Sequence, residues 1–415
     1  WKEDSMLTTY FKHPFTLRKL RSGPAGPYLD DFASQLAQVG YCRDKVRAYL
    51  RGTGRFSTWA AQTKLMIDHL DWQALVPFGR YLDSQGRLHC RRGEYSNTFL
   101  GARHFVDFLE ARGLVATPAP AVEPELLTEF CHWMRSQRGV TETTLNGYRP
   151  ALRRLLVAFG DHPEHYTVKQ LRGFVLDRTR DNKTSQAKTT VTVLRMFLRF
   201  LITQGRCTPE LLVAIPTIAG WRRSSLPSYL CTEEIERVID TCDCTIAIGA
   251  RDRAVLLLLA RLGLRAGDVA ALQLNDIDWE QGLFRVAGKN RRQTALPLPQ
   301  DVGEALLHYV ANHRPSVETS HVFITAIAPF VPFSHWMVSS ITARALRLAR
   351  IDAPSGGAHL LRHSAATAML RQGTSLEAIG AVLRHASIET THVYTKVDVD
   401  LLEQVVEPWL EVESC

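Results

Sequence analysis

Cysteine is scarce in this sequence, and its spacing shows no chemical pattern. Cys42, Cys90, Cys131, Cys207, Cys231, Cys242, Cys244 and Cys415 are its eight positions among 415 residues. No paired C-x-x-C is present and no histidine pair completes a zinc pattern; the C-x-C at Cys242 and Cys244 offers two ligands without partners. The length and apolar content of the chain count against a disulfide framework, since it can bury a core of its own. Long apolar runs are missing too. None reaches the roughly 18 residues needed to cross a bilayer, and the stretch 254–260 suits a buried helix. The opening Trp1-Lys-Glu-Asp is polar, unlike a secretory leader. These features lead us to expect no metal, no membrane association and a cytoplasmic location.

Basic charge and apolar content are well supplied. Hydrophobic residues make up 45% of the chain and charged residues 22%, the profile of a globular protein. The formal net charge is +8 and the pI about 9.1. Such a surplus fits either a polyanionic partner, most commonly nucleic acid, or a plainly solvated basic surface.

Two proline-rich breaks, at 116–124 and 215–227, divide the chain into three segments. The resulting domains are residues 1–115, 122–215 and 226–415. The second break carries Trp221, Arg222 and Arg223, a composition suited to a linker lying on phosphates or in solvent. In the middle segment, Leu126, Leu127, Phe130 and Met134 recur at helical spacing. Leu145, Tyr148, Leu152, Leu155 and Leu156 mark a second helix, with Arg149, Arg153 and Arg154 between them. Val168, Leu171 and Val175 mark a third. Val193, Phe197, Phe200 and Leu201 mark a fourth, closed by Gly205. The first segment reads as a diverged copy. Phe32, Gly40, Val46 and Tyr49 align with Phe130, Gly139, Leu145 and Tyr148 at an offset of about 98. Thr98, Arg103, Phe105, Phe108, Leu109 and Gly113 align with Thr190, Arg195, Phe197, Phe200, Leu201 and Gly205 at about 92. Residues 72–95 fit no clear pattern.

The last segment is mixed. Thr232 reads as an N-cap before acids in a first turn. An apolar helix is expected over 251–262, and strands over 282–288 and 293–298 around the basic turn Lys289-Asn-Arg-Arg292. Helices follow, with a loop at 353–357 and an acidic, amphipathic helix over 399–410. The fold class is therefore mainly α, with a small antiparallel β-sheet in the last domain (α+β) and helical domains before it.

Cutting a phosphodiester without water, and resealing it, sets chemical requirements. Guanidinium groups match the phosphate oxygens and stay charged at any working pH. The nucleophile must form an ester that preserves the bond energy; a tyrosine can, given a positive pocket or a base. The leaving 5′ oxygen needs a proton donor. The last segment supplies a candidate for each role in order. Gly263-Leu-Arg265-Ala-Gly-Asp268 places an arginine between two helices. Lys289 lies in the turn between strands. His359-Leu-Leu-Arg362 sets a histidine and an arginine on one helix face. Leu383-Arg384-His385 adds a second histidine, and Tyr394 follows.

This ordered series resembles the tyrosine recombinase (phage integrase) family, roughly over residues 228–410. The middle segment resembles that family's helical core-binding domain. Each motif alone is weak, but the whole series with these separations is specific. The resemblance implies that Arg265 and Arg362 bind the scissile phosphate and that Lys289 protonates the 5′ oxygen. It implies that His359 assists proton transfer at the tyrosine, that His385 hydrogen-bonds the phosphate, and that Tyr394 becomes the 3′-phosphotyrosyl link. Asp268 would brace the site. Arg291 and Arg292 compete with Lys289 but give up protons poorly; with Arg149, Arg153, Arg222 and Arg223 they are candidate DNA contacts. His363, His392, Tyr309 and Tyr229 read as structural. Arg384 stands where the family commonly has glycine. No cofactor is implied. The partners implied are double-stranded DNA and further protomers, as a tetramer on paired sites or with sister recombinases, with Val405, Val406, Trp409 and Leu410 docking on a neighbour. A nicking-closing topoisomerase and a non-catalytic DNA-binding regulator are the rival readings.

Overall fold

The computed structural model describes residues 5–90, 95–116, 123–180, 184–218, 228–287, 293–353, 355–385 and 387–397. Lys289, Arg291, Arg292, Arg222, Arg223 and the tail residues Val405, Val406, Trp409 and Leu410 lie outside them. The chain falls into two compact units: residues 116–224 form one, and residues 1–115 with 225–415 form the other. The first and last segments share a unit yet keep separate cores.

The first segment runs through α1 (Met6–Tyr10), α2 (Pro14–Arg21), α3 (Leu29–Gln38), α4 (Arg43–Gln62), α5 (Trp72–Ser84) and α6 (Asn97–Ala111). In α3, Leu29, Phe32, Ala33 and Leu36 are buried at i, i+3, i+4 and i+7, which forces one face inward. Phe32 stands edge-on to Phe105 at 5.3 Å and leans on Phe108 at 5.4 Å. Gly40, at φ +93°, lets the chain turn after α3. The stretch without a clear sequence pattern holds α5, started by Asp71, whose carboxylate accepts from the Gln73 and Ala74 amides at 2.9 and 3.0 Å.

The middle unit contains α7 (Glu125–Arg138), α8 (Glu142–Phe159), α9 (Val168–Arg180), α10 (Thr184–Thr203) and the short α11 (Glu210–Val213). Its interior repeats that geometry. Phe130 stands edge-on to Phe197 at 5.5 Å and to Phe200 at 5.9 Å. Gly139 ends α7 in the left-handed region, and Gly205 follows α10 as Gly113 follows α6, all with positive φ. Even the closing bonds match: Leu114 N–H donates to the Leu109 carbonyl at 3.0 Å, and Arg206 N–H to Leu201 at 2.9 Å.

The last segment runs through α12 (Thr232–Asp240), α13 (Ala247–Leu262), α14 (Ala266–Ala271), β1 (Ile277–Asp278), β2 (Leu283–Ala287), β3 (Gln293–Pro297), α15 (Gln300–Asn312), α16 (His335–Leu348), α17 (Ala358–Arg371) and α18 (Leu376–Leu383). Two 3₁₀ turns, Ile388–Thr390 and His392–Val397, follow. Residues Ala254 to Ala260 of α13 are all buried, and α13 runs through the centre of this core. The sheet is antiparallel in the order β1-β2-β3, with Phe284 opposite Leu296 and Val286 opposite Thr294. Phe284 and Val286 face the core while Arg285 between them is exposed, the alternation of a half-buried strand. Two expectations need correction. The α12 N-cap is Cys231, not Thr232: Glu234 reaches back to accept the Cys231 amide at 3.0 Å, so the acid fixes the boundary one residue earlier. The central helix starts at Ala247, since small residues that pack against neighbouring backbone extend it before the apolar run.

Candidate active site

The site is built where α13, α17 and α18 end or pass one another. Gly263 terminates α13 at φ +59°, and a Cβ there would come within 2.5 Å of the Leu383 side chain. Only glycine gives both the left-handed turn and the space. The turn delivers Arg265 to the N-cap of α14, where the Asp268 carboxylate accepts its amide at 3.2 Å.

Both arginines are held by backbone carbonyls. Arg265 donates from Nη2 to the Arg384 carbonyl at 2.9 Å. Arg362, on α17 and only 3% exposed, donates from Nη2 to the Leu383 carbonyl at 2.5 Å and from Nη1 to the Gly263 carbonyl. The segment Leu383 to His385 thus orients both guanidinium groups, and each keeps nitrogens that neither carbonyl occupies. Burial pulls Arg362 down to about 10, and neighbouring Arg265 adds to the effect. Two cations brought this close favour an anion between them.

Asp268 braces the site in two ways: it caps Arg265 and it pairs with Arg384. Arg384 sits at φ +54°, which accounts for the glycine common at this position in the family it resembles. Its guanidinium is folded inward, its side chain 8% exposed. Its Nε and Nη1 are buried without a hydrogen-bond partner among the described residues.

The tyrosine side is equally closed. Tyr394 is 1% exposed and packs with Ala366, Ile379 and Leu383. Burial raises its pKa, while the Arg362 charge acts in the opposite direction. Its ring stacks on His385, centroids 6.4 Å apart. His385 is fixed by Thr391, Nδ1 to Oγ1 at 2.8 Å, and burial followed by the charges of Arg362 and Arg265 push it down to about 4. The residue on the tyrosine hydroxyl is His363, with Nδ1 2.9 Å from the phenol oxygen. The sequence reading set His363 aside as structural. A partial signal was present: His363 stands four residues after His359, so the helix puts both rings on one face, without telling which of them reaches the hydroxyl. His359 is exposed, and its ring stands 5.7 Å from that of His363.

The structure therefore brings Arg265, Asp268, His359, Arg362, His385 and Tyr394 to one place, and adds His363 and Arg384. Lys289 falls in the sequence between β2 and β3, outside the described residues. Arg149 and Arg153 lie in the other unit. Arg149 donates to Glu142 at 2.6 Å and pairs with Glu123 at 3.2 Å; Arg153 donates to Glu123 at 2.9 Å. His392 is exposed. Among the described residues, no cluster of three His, Cys, Asp or Glu side chains is placed to hold a metal ion, and no helix is long and apolar enough to cross a membrane.

Comparison with known proteins points the same way. The family model described as the phage integrase family matches residues 228–400. A Sinorhizobium fredii protein named as an integrase/recombinase, y4rA, is 34% identical over 407 residues, covering 95% of this chain and 97% of that one. The tyrosine recombinase XerC of Thermodesulfovibrio yellowstonii is 27% identical over 68% of this chain and 94% of its own. Among solved structures, XerH recombinase in a post-cleavage complex with its difH substrate shares the fold, with a TM-score of 0.56, 18% identity, and coverage of 82% of this chain and 95% of that one. A lambda integrase dimer on a core site does so at 0.53, with 20% identity over 65% and 93%. With a relative matched along nearly its whole length and the ordered Arg–His–Arg–His–Tyr site in place, the chain belongs to the phage integrase family, the tyrosine recombinases that cleave and rejoin DNA at specific sites.

Proposed function

We propose that this recombinase cuts DNA by attack of Tyr394 on a phosphodiester held by Arg265 and Arg362, and stores the bond as a 3′-phosphotyrosine. The observation that carries the reading is the convergence of the buried Arg362, the half-buried Arg265 and the buried Tyr394 on the segment from Leu383 to Tyr394. The arginines stabilise the charge that builds on the non-bridging oxygens. His385 supplies a further hydrogen bond to the phosphate, Asp268 keeps Arg265 in place, and Lys289 protonates the departing 5′ oxygen. Because Tyr394 is packed into its own chain, cleavage takes place in cis. The DNA is a duplex site at the ends of a mobile element. Relatives named integrase/recombinase and a Tn1549 transposon integrase with the same fold support that choice. Lambda integrase is known as a tetramer on a Holliday junction, which supports assembly of four protomers on paired sites, alone or with sister recombinases.

We also infer that residues 1–115 are a diverged copy of the middle helical module, on the strength of the repeated phenylalanine cluster and glycine closures. The test of the central reading is trapping on a nicked suicide substrate made from the element's ends. Wild type should give a covalent protein–DNA band, and Tyr394→Phe none. A band that survives in the variant moves the nucleophile elsewhere.

A further inference from the structure

We propose that His363, and not His359, is the group that receives the proton of the Tyr394 hydroxyl during strand cleavage. The inference rests on the reading of Tyr394 as nucleophile and adds a catalytic residue to it.

The geometry is direct. His363 Nδ1 lies 2.9 Å from the phenol oxygen, within hydrogen-bond range, and the rings sit 5.5 Å apart at 59°. Both residues are held by their surroundings. His363 rides on α17 between the buried Arg362 and Ser364, and the Ser364 hydroxyl accepts the Leu230 amide at 2.8 Å, which ties this turn of the helix to the start of the domain. Tyr394 is enclosed by apolar neighbours from α17 and α18. A phenol O–H can only donate to Nδ1 if that nitrogen carries a lone pair. Burial, together with the charges of His359 and Arg362, keeps His363 below the ordinary histidine range, so the neutral ring is the resting form. The His359 ring makes no hydrogen bond among the described residues and is open to solvent. His385 uses its Nδ1 on Thr391. Of the three histidines, His363 alone has a nitrogen on the reacting oxygen.

In the resting protein this transfer is uphill, because burial raises the tyrosine and lowers the histidine. The proton therefore moves as the oxygen bonds to phosphorus, when the phenol becomes strongly acidic. The Tyr394 O–H bond breaks and its proton passes to His363 Nδ1. The oxygen lone pair forms the new P–O bond, the P–O5′ bond breaks, and the 5′ oxygen takes a proton from its own donor, the role proposed for Lys289. Rejoining runs in reverse: the 5′ hydroxyl attacks, and the departing phenolate recovers the proton from the His363 imidazolium. No outside oxidant, metal or nucleotide enters the balance.

Single-turnover cleavage by the full chain tests this on two nicked substrates, one normal and one with sulfur in place of the bridging 5′ oxygen. A thiolate leaves without protonation, so sulfur rescues defects on the leaving side and not on the nucleophile side. His363→Ala should slow both substrates by about 100-fold, within the range for a lost proton-transfer group, with gel-shift affinity unchanged. His363→Asn places an acceptor oxygen near the Nδ1 position but cannot take a proton, so it should be similarly slow; it also serves if the alanine variant folds poorly. The proposal is overturned if His363→Ala stays near the wild-type rate, if sulfur restores its rate, or if His363→Asn cuts like wild type. An adduct formed by Tyr394→Phe overturns the nucleophile reading and this inference together. An adduct that needs Tyr394 and is indifferent to His363 overturns this inference alone.

Discussion

In the first segment Phe32 meets Phe105 and Phe108; in the middle segment Phe130 meets Phe197 and Phe200. The interiors of the two modules are nearly interchangeable. Their surfaces are not. With Tyr49 aligned to Tyr148, Arg149 and Arg153 of α8 correspond to Leu50 and Gly54 of α4. Leu50 is fully buried, and a Cβ on Gly54 would come within 2.6 Å of Leu20 on α2. The first module thus has α2 lying over the face on which the middle module carries arginines. The difference teaches that two modules can share a packed interior without sharing a surface. Whatever the first module does, it does not present a second copy of the Arg149 face.

The comparison can be broken most sharply in the shared interior. Phe32→Ala and Phe130→Ala should each cost about 3–5 kcal/mol of local stability, the usual loss for a fully buried phenylalanine. The chain has more than one core, so one unfolding curve would blend them; hydrogen exchange within each module gives the separate values. Similar losses would sustain the idea of a copied core. A near-neutral Phe32→Ala beside a costly Phe130→Ala would refute it.

A smaller effect separates the glycine closures. Gly139 meets nothing within 4 Å, so Gly139→Ala should cost only the left-handed backbone penalty, about 1 kcal/mol. Gly40 has the larger φ, and a Cβ there would come within 2.7 Å of the Phe330 ring, which belongs to the last segment of the same unit. Gly40→Ala should therefore cost clearly more, as lost protection in both α3 and the loop holding Phe330. Equal costs would mean that Phe330 yields freely.

The site was more legible in the sequence than its surroundings were. Arg265, His359, Arg362, His385 and Tyr394 were marked by residue type and order, because phosphoryl transfer leaves few alternatives for each role. His363 was missed, since adjacency to a motif does not tell which ring reaches the hydroxyl; that depends on how α17 rolls against the turn bearing Tyr394. Helix α5 was missed although its Asp71 cap was readable, because Pro77 interrupts the expected pattern inside the helix. Strand β1 has two residues, too few for any alternation to register. The phenylalanine and glycine pattern common to the first two segments was legible because buried phenylalanines and turn glycines tolerate few substitutes. The roof that α2 forms over α4 was not, since Gly54 reads as a weak helix residue until Leu20 is seen against it.

The smallest predicted effect sharpens the same contrast. Arg149 was a natural candidate for phosphate contact, being basic, on a helix, and in the module that resembles a core-binding domain. Its side chain is only 16% exposed, and it donates to Glu142 at 2.6 Å and Asn146 at 2.5 Å while pairing with Glu123. Arg153 shares Glu123 but is 54% exposed, so it can turn to DNA at little cost. A phosphate contact contributes about 0.9 to the slope of log affinity against log salt. Arg153→Ala should therefore flatten that slope by about one such step, and Arg149→Ala should leave it unchanged while loosening the Glu123–Glu142 corner of α7 and α8. If Arg149→Ala flattens the slope as well, DNA competes successfully with two carboxylates. The arginine face of the middle module would then be a working surface along its whole length, one that the first module, with α2 over α4, does not offer.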